Sequence, residues 1–317
     1  MLGRGVRVIR SAPGLPSGGS HGQQGQGRFE ELEDRGEQVA EGEAPGEEGE
    51  GRRLGLLILG RLDQEVAAGR RAAVNAVPTP PLWVTSAGTM DAIAAVDPEV
   101  AAGAFLSDHA IALGGRPGAI AGRSWASCAR FEADATSGAI GADVRVAMYD
   151  PERWRHTPAE EQRDPLGAMA RFGDLARRHG YVCMITPHPG LLSVPGSALA
   201  RDADETEEAA YERSGITEAA ARAADIVETQ AQRLQDRPDA YRGLVAATAA
   251  LARAANPSVL VLSGLSTSPG FPATPQMLLD AWASVADVAD GHYLSLAKGR
   301  YPEVMAAFLR SALGSDR

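Results

Sequence analysis

Residues 144–149 read VRVAMY, and this short apolar run with β-branched residues predicts a buried strand. A segment of helical period follows at Pro165–His179, and Gly180 marks its end. Residues 181–186, YVCMIT, then form the next predicted strand, which a proline ends. A strand, a helix and a strand in this order are typical of a parallel sheet with helical crossovers.

The same alternation continues on both sides of this unit. The other predicted strands are 82–85, 104–106, 225–229, 258–263 and 292–296. One further predicted helix begins at Asp91. The others cover 124–135 with Ser124 as N-cap, 206–223, 238–255, 275–288 with Thr274 as N-cap, and 302–313.

These segments make seven β–α units, and Leu54–Gly60 with Asp63–Ala76 would supply an eighth. Eight units over about 260 residues predict an α/β chain folded as a (β/α)8 TIM-type barrel, which typically has about 250 residues. A doubly wound open parallel sheet is the alternative. No GxGxxG motif follows a predicted strand, so the nucleotide-binding signature of that alternative is absent from the sequence.

Residues 1–52 differ in composition from the rest of the chain. They are rich in Gly, Ser, Gln and Glu and contain few apolar residues. Such a composition does not offset the conformational entropy lost on ordering, so we expect a disordered head. We expect residues 53–317 to form a single barrel domain.

The composition excludes several classes of function. The 317 residues carry a formal net charge of -10, which disfavours binding to nucleic acid and to anionic membrane surfaces. Two cysteines, Cys128 and Cys183, form neither a disulfide framework nor a zinc motif. We therefore expect no metal and no cofactor, and a small molecule as the partner. The sequence does not indicate an oligomeric state.

No apolar run reaches the roughly 18 residues that a membrane-spanning helix needs. We expect a cytoplasmic protein. The apolar run at 54–60 follows Arg52 and Arg53, so a start of the chain near Arg52 would instead favour secretion.

Polar residues cluster at the end of the predicted strand 225–229. Glu228, Gln230 and Gln232 share one parity with Ile226, so they face the same side of the sheet. On the helical side they would need partners to offset the cost of burial, whereas at the mouth of a barrel they could bind a ligand. The alternative interpretation is a structural hydrogen-bond network.

A second polar cluster follows the strand at 144–149. Asp150 and Glu152 flank a proline, and Trp154 follows two residues later. Paired carboxylates serve acid–base chemistry when their pKa values differ, and an indole can stack on a sugar face. Tyr149 and Trp154 are therefore candidate substrate contacts. The alternative is an Asx-type turn around Asp150, and Thr157 is interpreted as a structural helix cap.

Two further residues at strand ends are candidates for chemistry. His188 stands between two prolines and could act as an acid, a base or a hydrogen-bond donor, although a structural histidine is the alternative. Lys298 follows the last predicted strand and could form a Schiff base if it were desolvated. Its flanks, Gly299 and Arg300, favour a solvated surface lysine instead.

Several runs together carry a resemblance to a known group. They are Met148–Trp154, Thr157-Pro158, Asp164-Pro165, Ala224–Gln232 and Val261–Thr267. The chain resembles, over residues 80–313, glycoside-hydrolase-like TIM-barrel proteins of high-GC, actinobacterial type. The resemblance implies the barrel, and it transfers no reaction and no catalytic residue.

The leading hypothesis is a carbohydrate-active or related small-molecule enzyme that uses carboxylate acid–base chemistry at the C-terminal face of the barrel. Its acid–base pair would be Glu228 with Asp150 or Glu152. His188 and Gln230 would position the substrate. Two alternatives remain open, a Schiff-base lyase or aldolase that uses Lys298 and a barrel that binds a ligand without turning it over.

Overall fold

The computed structural model describes residues 81–197, 199–202, 204–296 and 299–314. Within these ranges eight parallel strands close into a barrel, each pairing with the next in sequence and the last with the first. This confirms the predicted (β/α)8 barrel class over the open sheet. The strands are β1 (Leu82–Ser86), β2 (Ala110–Leu113), β3 (Ile120–Trp125), β4 (Val146–Tyr149), β5 (Val182–Ile185), β6 (Ile226–Thr229), β7 (Leu260–Ser266) and β8 (Gly291–Ser295).

Helices cover the outside of this barrel. In the described part of the chain they are α1 (Ala87–Val96), α2 (Pro98–Phe105), α3 (Cys128–Ser137), α4 (Ala159–Arg163), α5 (Pro165–Arg178), α6 (Glu207–Arg213), α7 (Ile216–Ala223), α8 (Pro238–Ala255), α9 (Pro275–Ser284) and α10 (Pro302–Ala312). Two 3-10 turns, Pro189–Ser193 and Gln232–Leu234, follow β5 and β6. None of the helices among the described residues is long and apolar enough to cross a membrane.

Alternate residues of each strand point to two separate cores. One cluster fills the barrel interior, and its buried members come from every strand except β3 and β8, among them Val84, Met148, Met184, Ile226 and Leu262. The other cluster lies between the strands and the helices. Because side chains alternate along a strand, the residues that share the parity of the interior cluster face the lumen.

The prediction of a strand at residues 104–106 was wrong, because these residues end helix α2 or follow it. Asp97 caps that helix by accepting a hydrogen bond from the Val100 amide, and Pro98 occupies its first turn. The buried residues of α2 repeat with helical period, which a short apolar run does not distinguish from a strand.

The eighth strand also lies elsewhere than predicted. Residues 120–125 form β3, where the sequence suggested a loop and the start of a helix, so Ser124 is a strand residue. Ser127 caps α3 in its place and accepts a hydrogen bond from the Arg130 amide. Only residues 114–119 join β2 to β3, without a helix. Gly114, Gly115 and Gly118 have positive φ values there, which permits the tight return.

The predicted helix at 206–223 is two helices, α6 and α7, separated at Ser214 and Gly215. The Thr274 cap of α9 is confirmed by its hydrogen bond from the Met277 amide. The predicted head at 1–52 and the proposed extra unit at 54–60 and 63–76 lie outside the described residues. The boundary of the single domain at 53–317 therefore stays a prediction.

Candidate functional site

Glu228 is a buried carboxyl group on the lumen side of the barrel. It is the third residue of β6 and shares the parity of Ile226, which belongs to the interior cluster. Its side chain is 2% exposed, and Oε1 accepts a hydrogen bond from Nε2 of Gln232 over 3.2 Å. A Cβ at Gly264 would lie 2.5 Å from the same oxygen, so the carboxyl group packs directly on β7.

Burial raises the pKa of Glu228 well above its ordinary value. The negative charges of Asp150 and Glu152 raise it further, and the hydrogen bond from Gln232 opposes these effects. A carboxyl group in this environment holds its proton at a pH where an exposed glutamate is ionised. It can therefore donate a proton to a bound molecule at a pH above the ordinary pKa of a glutamate.

Asp150 follows β4 and lies among hydrogen-bond donors from β5 and β6. Oδ1 accepts a hydrogen bond from the Thr186 hydroxyl over 2.7 Å, and Nε2 of Gln230 approaches the same oxygen at 3.4 Å. Gln230 also donates to the Thr186 carbonyl over 2.9 Å. Hydrogen-bond donors directed at a carboxylate favour its charged form, and Asp150 lies here as an acceptor.

The register places Asp150 and Glu228 in one row across three neighbouring strands. Met148 pairs with Met184, and Ile185 pairs with Val227, so Thr186 stands between the two acids. Strands in a sheet lie about 4.8 Å apart, which puts the two Cα atoms roughly 10 Å apart. The side chains extend to the same mouth of the barrel, because all eight strands run in parallel.

Hydrogen bonds brace the loop that carries Glu152 and Trp154. The Thr157 hydroxyl accepts from the Trp154 indole over 2.9 Å and from the Glu152 amide over 3.2 Å. Gln162 donates to the carbonyls of Trp154 and Thr157, over 2.6 Å in each case. Thr157 is therefore a brace within the loop. It is not the predicted helix cap, because Pro158 precedes α4 without a side-chain cap.

Trp154 is half-buried, and its ring meets that of His156 edge-on at a centroid distance of 4.9 Å. The indole N–H is used by Thr157, which fixes the ring relative to the loop. An indole fixed in this way loses little conformational entropy when it contacts a ligand.

His188 follows β5 and is half-buried. Its Nδ1 accepts a hydrogen bond from the Gly190 amide over 2.8 Å. Burial, with a smaller contribution from the Arg233 guanidinium, lowers the pKa of His188 to about 4. The imidazole is therefore neutral near pH 7, with its proton on Nε2, and it acts as a hydrogen-bond donor at that atom.

Tyr149 is not brought to this group of residues. It faces the helical shell, where its ring stacks on Phe172 at a centroid distance of 4.9 Å. Its hydroxyl donates to Oε2 of Glu161 over 2.7 Å, and burial raises the pKa of Tyr149. This corrects its placement as a substrate contact, since adjacent strand residues face opposite sides and Met148 holds the lumen side.

Glu161 is the partner that holds the hydroxyl of this outward-facing tyrosine. Its buried carboxylate also accepts hydrogen bonds from the backbone amides of Cys128 and Ala129 and from the Ser127 hydroxyl. These groups form the N-terminus of α3, where the helix dipole favours a negative charge. Glu161 thereby joins the segment after β4 to α3. Because its partners on α3 lie far away in the sequence, the sequence alone does not predict this role.

Two residues beside Glu228 were missed or undervalued by sequence reasoning. Gly264 shares the parity of Leu262 on β7, and only a residue without a side chain leaves room there for Glu228. The amide of Gln232 contacts the carboxyl group directly, which strand parity alone does not predict. A glycine at a lumen position of a strand was the available signal for this site.

Lys298 lies outside the described residues, so its predicted role is not tested. Within the described ranges, no group of three or more His, Cys, Asp and Glu side chains is arranged to hold a metal ion. The described concavities include an open depression on the helical shell between α6 and α8, and none of Glu228, Asp150 and Glu152 lines it.

No protein-family model matches the sequence, and no curated protein matches it. Among solved structures, the chain is similar to the catalytic domain of a family GH18 chitinase from the fern Peteris ryukyuensis. The two share 15% identity with a TM-score of 0.39 over 64% of this chain and 71% of that chain. The fold is shown by the closed eight-stranded barrel itself.

Proposed function

We propose that this protein is a carbohydrate-active enzyme in which Glu228 is the general acid and Asp150 the general base or nucleophile. The observation that carries the proposal is the contrast between the two carboxyl groups. Glu228 is buried with a raised pKa, whereas Asp150 accepts hydrogen bonds from Thr186 and Gln230. Two acids whose environments favour opposite protonation states suit glycosidic bond cleavage.

Glu152 is the other candidate for the basic role. Its charge also raises the pKa of Glu228, but less than that of Asp150. Glu152 lies on the loop after β4, whereas Asp150 adjoins the strand and belongs to the row with Thr186. We therefore assign the basic role to Asp150 and a supporting electrostatic role to Glu152.

The remaining candidates suit a polyhydroxylated substrate. His188 offers an Nε2–H donor, and Trp154 offers an indole fixed by Thr157. Gln230 is joined to Thr186 and Asp150, so it would hold the base in place. Sugars are bound by such combinations of planar apolar surface and fixed polar groups.

In the proposed reaction, Glu228 protonates the leaving-group oxygen as the glycosidic bond breaks. Asp150 either removes a proton from an attacking water or attacks the anomeric carbon itself. A carboxyl separation of about 6.5–9.5 Å accompanies inversion, and one of about 5–5.5 Å accompanies retention. The anomeric configuration of the first product therefore reports which role Asp150 has.

The test is a turnover screen of the full chain against aryl glycosides and oligosaccharides, with the Glu228→Gln/Asp150→Asn double variant as its blank. We expect at least one substrate that the parent cleaves and the double variant does not. Saturable sugar binding without turnover in the parent would replace the proposal with a ligand-binding barrel. Equal turnover in both proteins would contradict it.

A further inference from the structure

We infer that Gln232 and Gly264 are positioning residues that orient Glu228 and assign its acidic proton to Oε2, the oxygen that does not accept from Gln232. This inference rests on the proposed role of Glu228 as the acid.

Two neighbours define the position of Oε1. Gln232 begins the 3-10 turn after β6 and folds back so that its Nε2 lies 3.2 Å from this oxygen. A Cβ at Gly264 would collide with both Oε1 and that amide nitrogen. The missing side chain of Gly264 therefore provides the space that the carboxyl–amide pair occupies.

The hydrogen bond also decides which oxygen carries the proton. The Gln232 amide group is a donor, so Oε1 must accept. In a protonated carboxyl group the carbonyl oxygen is the acceptor and the hydroxyl oxygen is the donor. The proton of Glu228 is therefore on Oε2. Oε1 packs on β7 and is used by Gln232, so Oε2 is the oxygen that remains to donate this proton.

The groups around Glu228 act on its charge in opposite senses. Asp150 and Glu152, at the end of β4 and on its loop, oppose ionisation. From the helices, Tyr211 of α6 and Tyr241 of α8 interact electrostatically with Glu228, and their pKa values are raised by burial. These phenols are neutral near pH 7. Gln232 supplies the contribution that favours the carboxylate.

The 3-10 turn holds Gln232 in place through a separate contact. Gln235 donates to the Ser266 carbonyl over 2.6 Å and accepts from the Ser266 amide over 3.0 Å. This two-way bond joins the turn to β7, the strand that carries Gly264. The Gln232 amide and the space beside Gly264 are therefore held together by the hydrogen bonds between Gln235 and Ser266.

The test uses the full chain labelled with carbon-13 at the glutamate carboxyl carbons. The Glu228 resonance is identified by its loss in Glu228→Gln, and its titration midpoint is compared between the parent, Gln232→Met and Gly264→Ala. The matched control is Gln276→Met, because Gln276 is exposed on α9 and its side-chain amide donates to Asp280. Melting temperatures establish that each variant is folded.

Loss of the donor removes a contribution that favours the charged form, so we expect Gln232→Met to raise the midpoint by about one pH unit. Gln276→Met should leave it unchanged. With a substrate in hand, the alkaline limb of the kcat profile should move in the same direction, which a merely structural role would not cause.

Gly264→Ala provides a second route to the same answer if Gln232→Met does not fold. The added methyl group displaces the amide and the carboxyl group from each other, so the midpoint should again rise. A folded Gln232→Met or Gly264→Ala protein with the parental midpoint would overturn the inference. Full activity of Glu228→Gln would instead refute the proposed function. The two results are distinguishable, because the titration midpoint of Glu228 is measured without any substrate.

Discussion

Thr186 donates its hydroxyl proton to Oδ1 of Asp150 across 2.7 Å, and this bond joins the ends of β4 and β5. The row of Asp150, Thr186 and Glu228 thus contains one hydroxyl group between two acids. The hydroxyl lies on the strand between Asp150 and Glu228, and in the proposed mechanism it orients Asp150. Its removal is therefore a test of whether that orientation matters for turnover.

We expect Thr186→Val to lower kcat/KM by about tenfold or more, because a hydrogen bond to a charged group is worth about 1.5–3 kcal/mol. The matched control is Thr85→Val. Thr85 is also a buried strand threonine, but its hydroxyl donates to the Leu294 carbonyl over 2.6 Å. The control should lose stability and keep its turnover, whereas parental kcat/KM in Thr186→Val would exclude a role for this bond.

The raised pKa of Glu228 predicts how stability depends on pH. In the folded protein Glu228 keeps its proton above its ordinary pKa of 4.5, whereas in the unfolded chain it loses it. Its contribution to stability is fully present below pH 4.5 and declines as the pH rises through the folded-state pKa. The decline is at most about 1.4 kcal/mol per pH unit for one group.

This contribution is measured as the difference between the parent and Glu228→Gln in denaturant unfolding at a series of pH values. Glutamine does not titrate, so the variant should gain stability relative to the parent as the pH rises. Parallel stability curves for the two proteins across this range would show that the folded-state pKa is not raised.

The histidine at the mouth gives an independent prediction. We expect His188 to titrate near pH 4, because burial lowers its pKa to about 4, and to hold its proton on Nε2 at neutral pH. Nitrogen-15 NMR of the imidazole reports both properties. His188→Gln should raise KM and leave the pH profile of kcat unchanged, whereas a midpoint near 6.5 would restore His188 as a candidate acid–base residue.

Much of the barrel could be predicted from local pattern. The run at residues 144–149 and the helix after it behave as expected, because a buried parallel strand and an amphipathic helix have distinct periods. The segment 104–125 could not be assigned in this way. The helix that ends at Phe105 is only eight residues long. The strands β2 and β3 then follow each other without the helix that the alternation required.

The candidate site was predictable in part for the same reason. The parity of Glu228 with Ile226 follows from the strand period and gives the lumen side. The same period also places Tyr149, the neighbour of Met148 on β4, on the side of the shell. The contacts of Glu161 with Cys128 and of Gln232 with Gly264 join separate elements, so the local spacing of residues does not predict them.

In the proposed mechanism Glu228 transfers a proton to the substrate. Glu228→Gln keeps the shape of the side chain and has no proton to transfer. With a substrate from the screen, kcat and the melting temperature are measured together on this variant. The account predicts a loss of about 10²-fold or more in kcat, with stability at neutral pH no lower than that of the parent. A destabilised variant with parental kcat would contradict it.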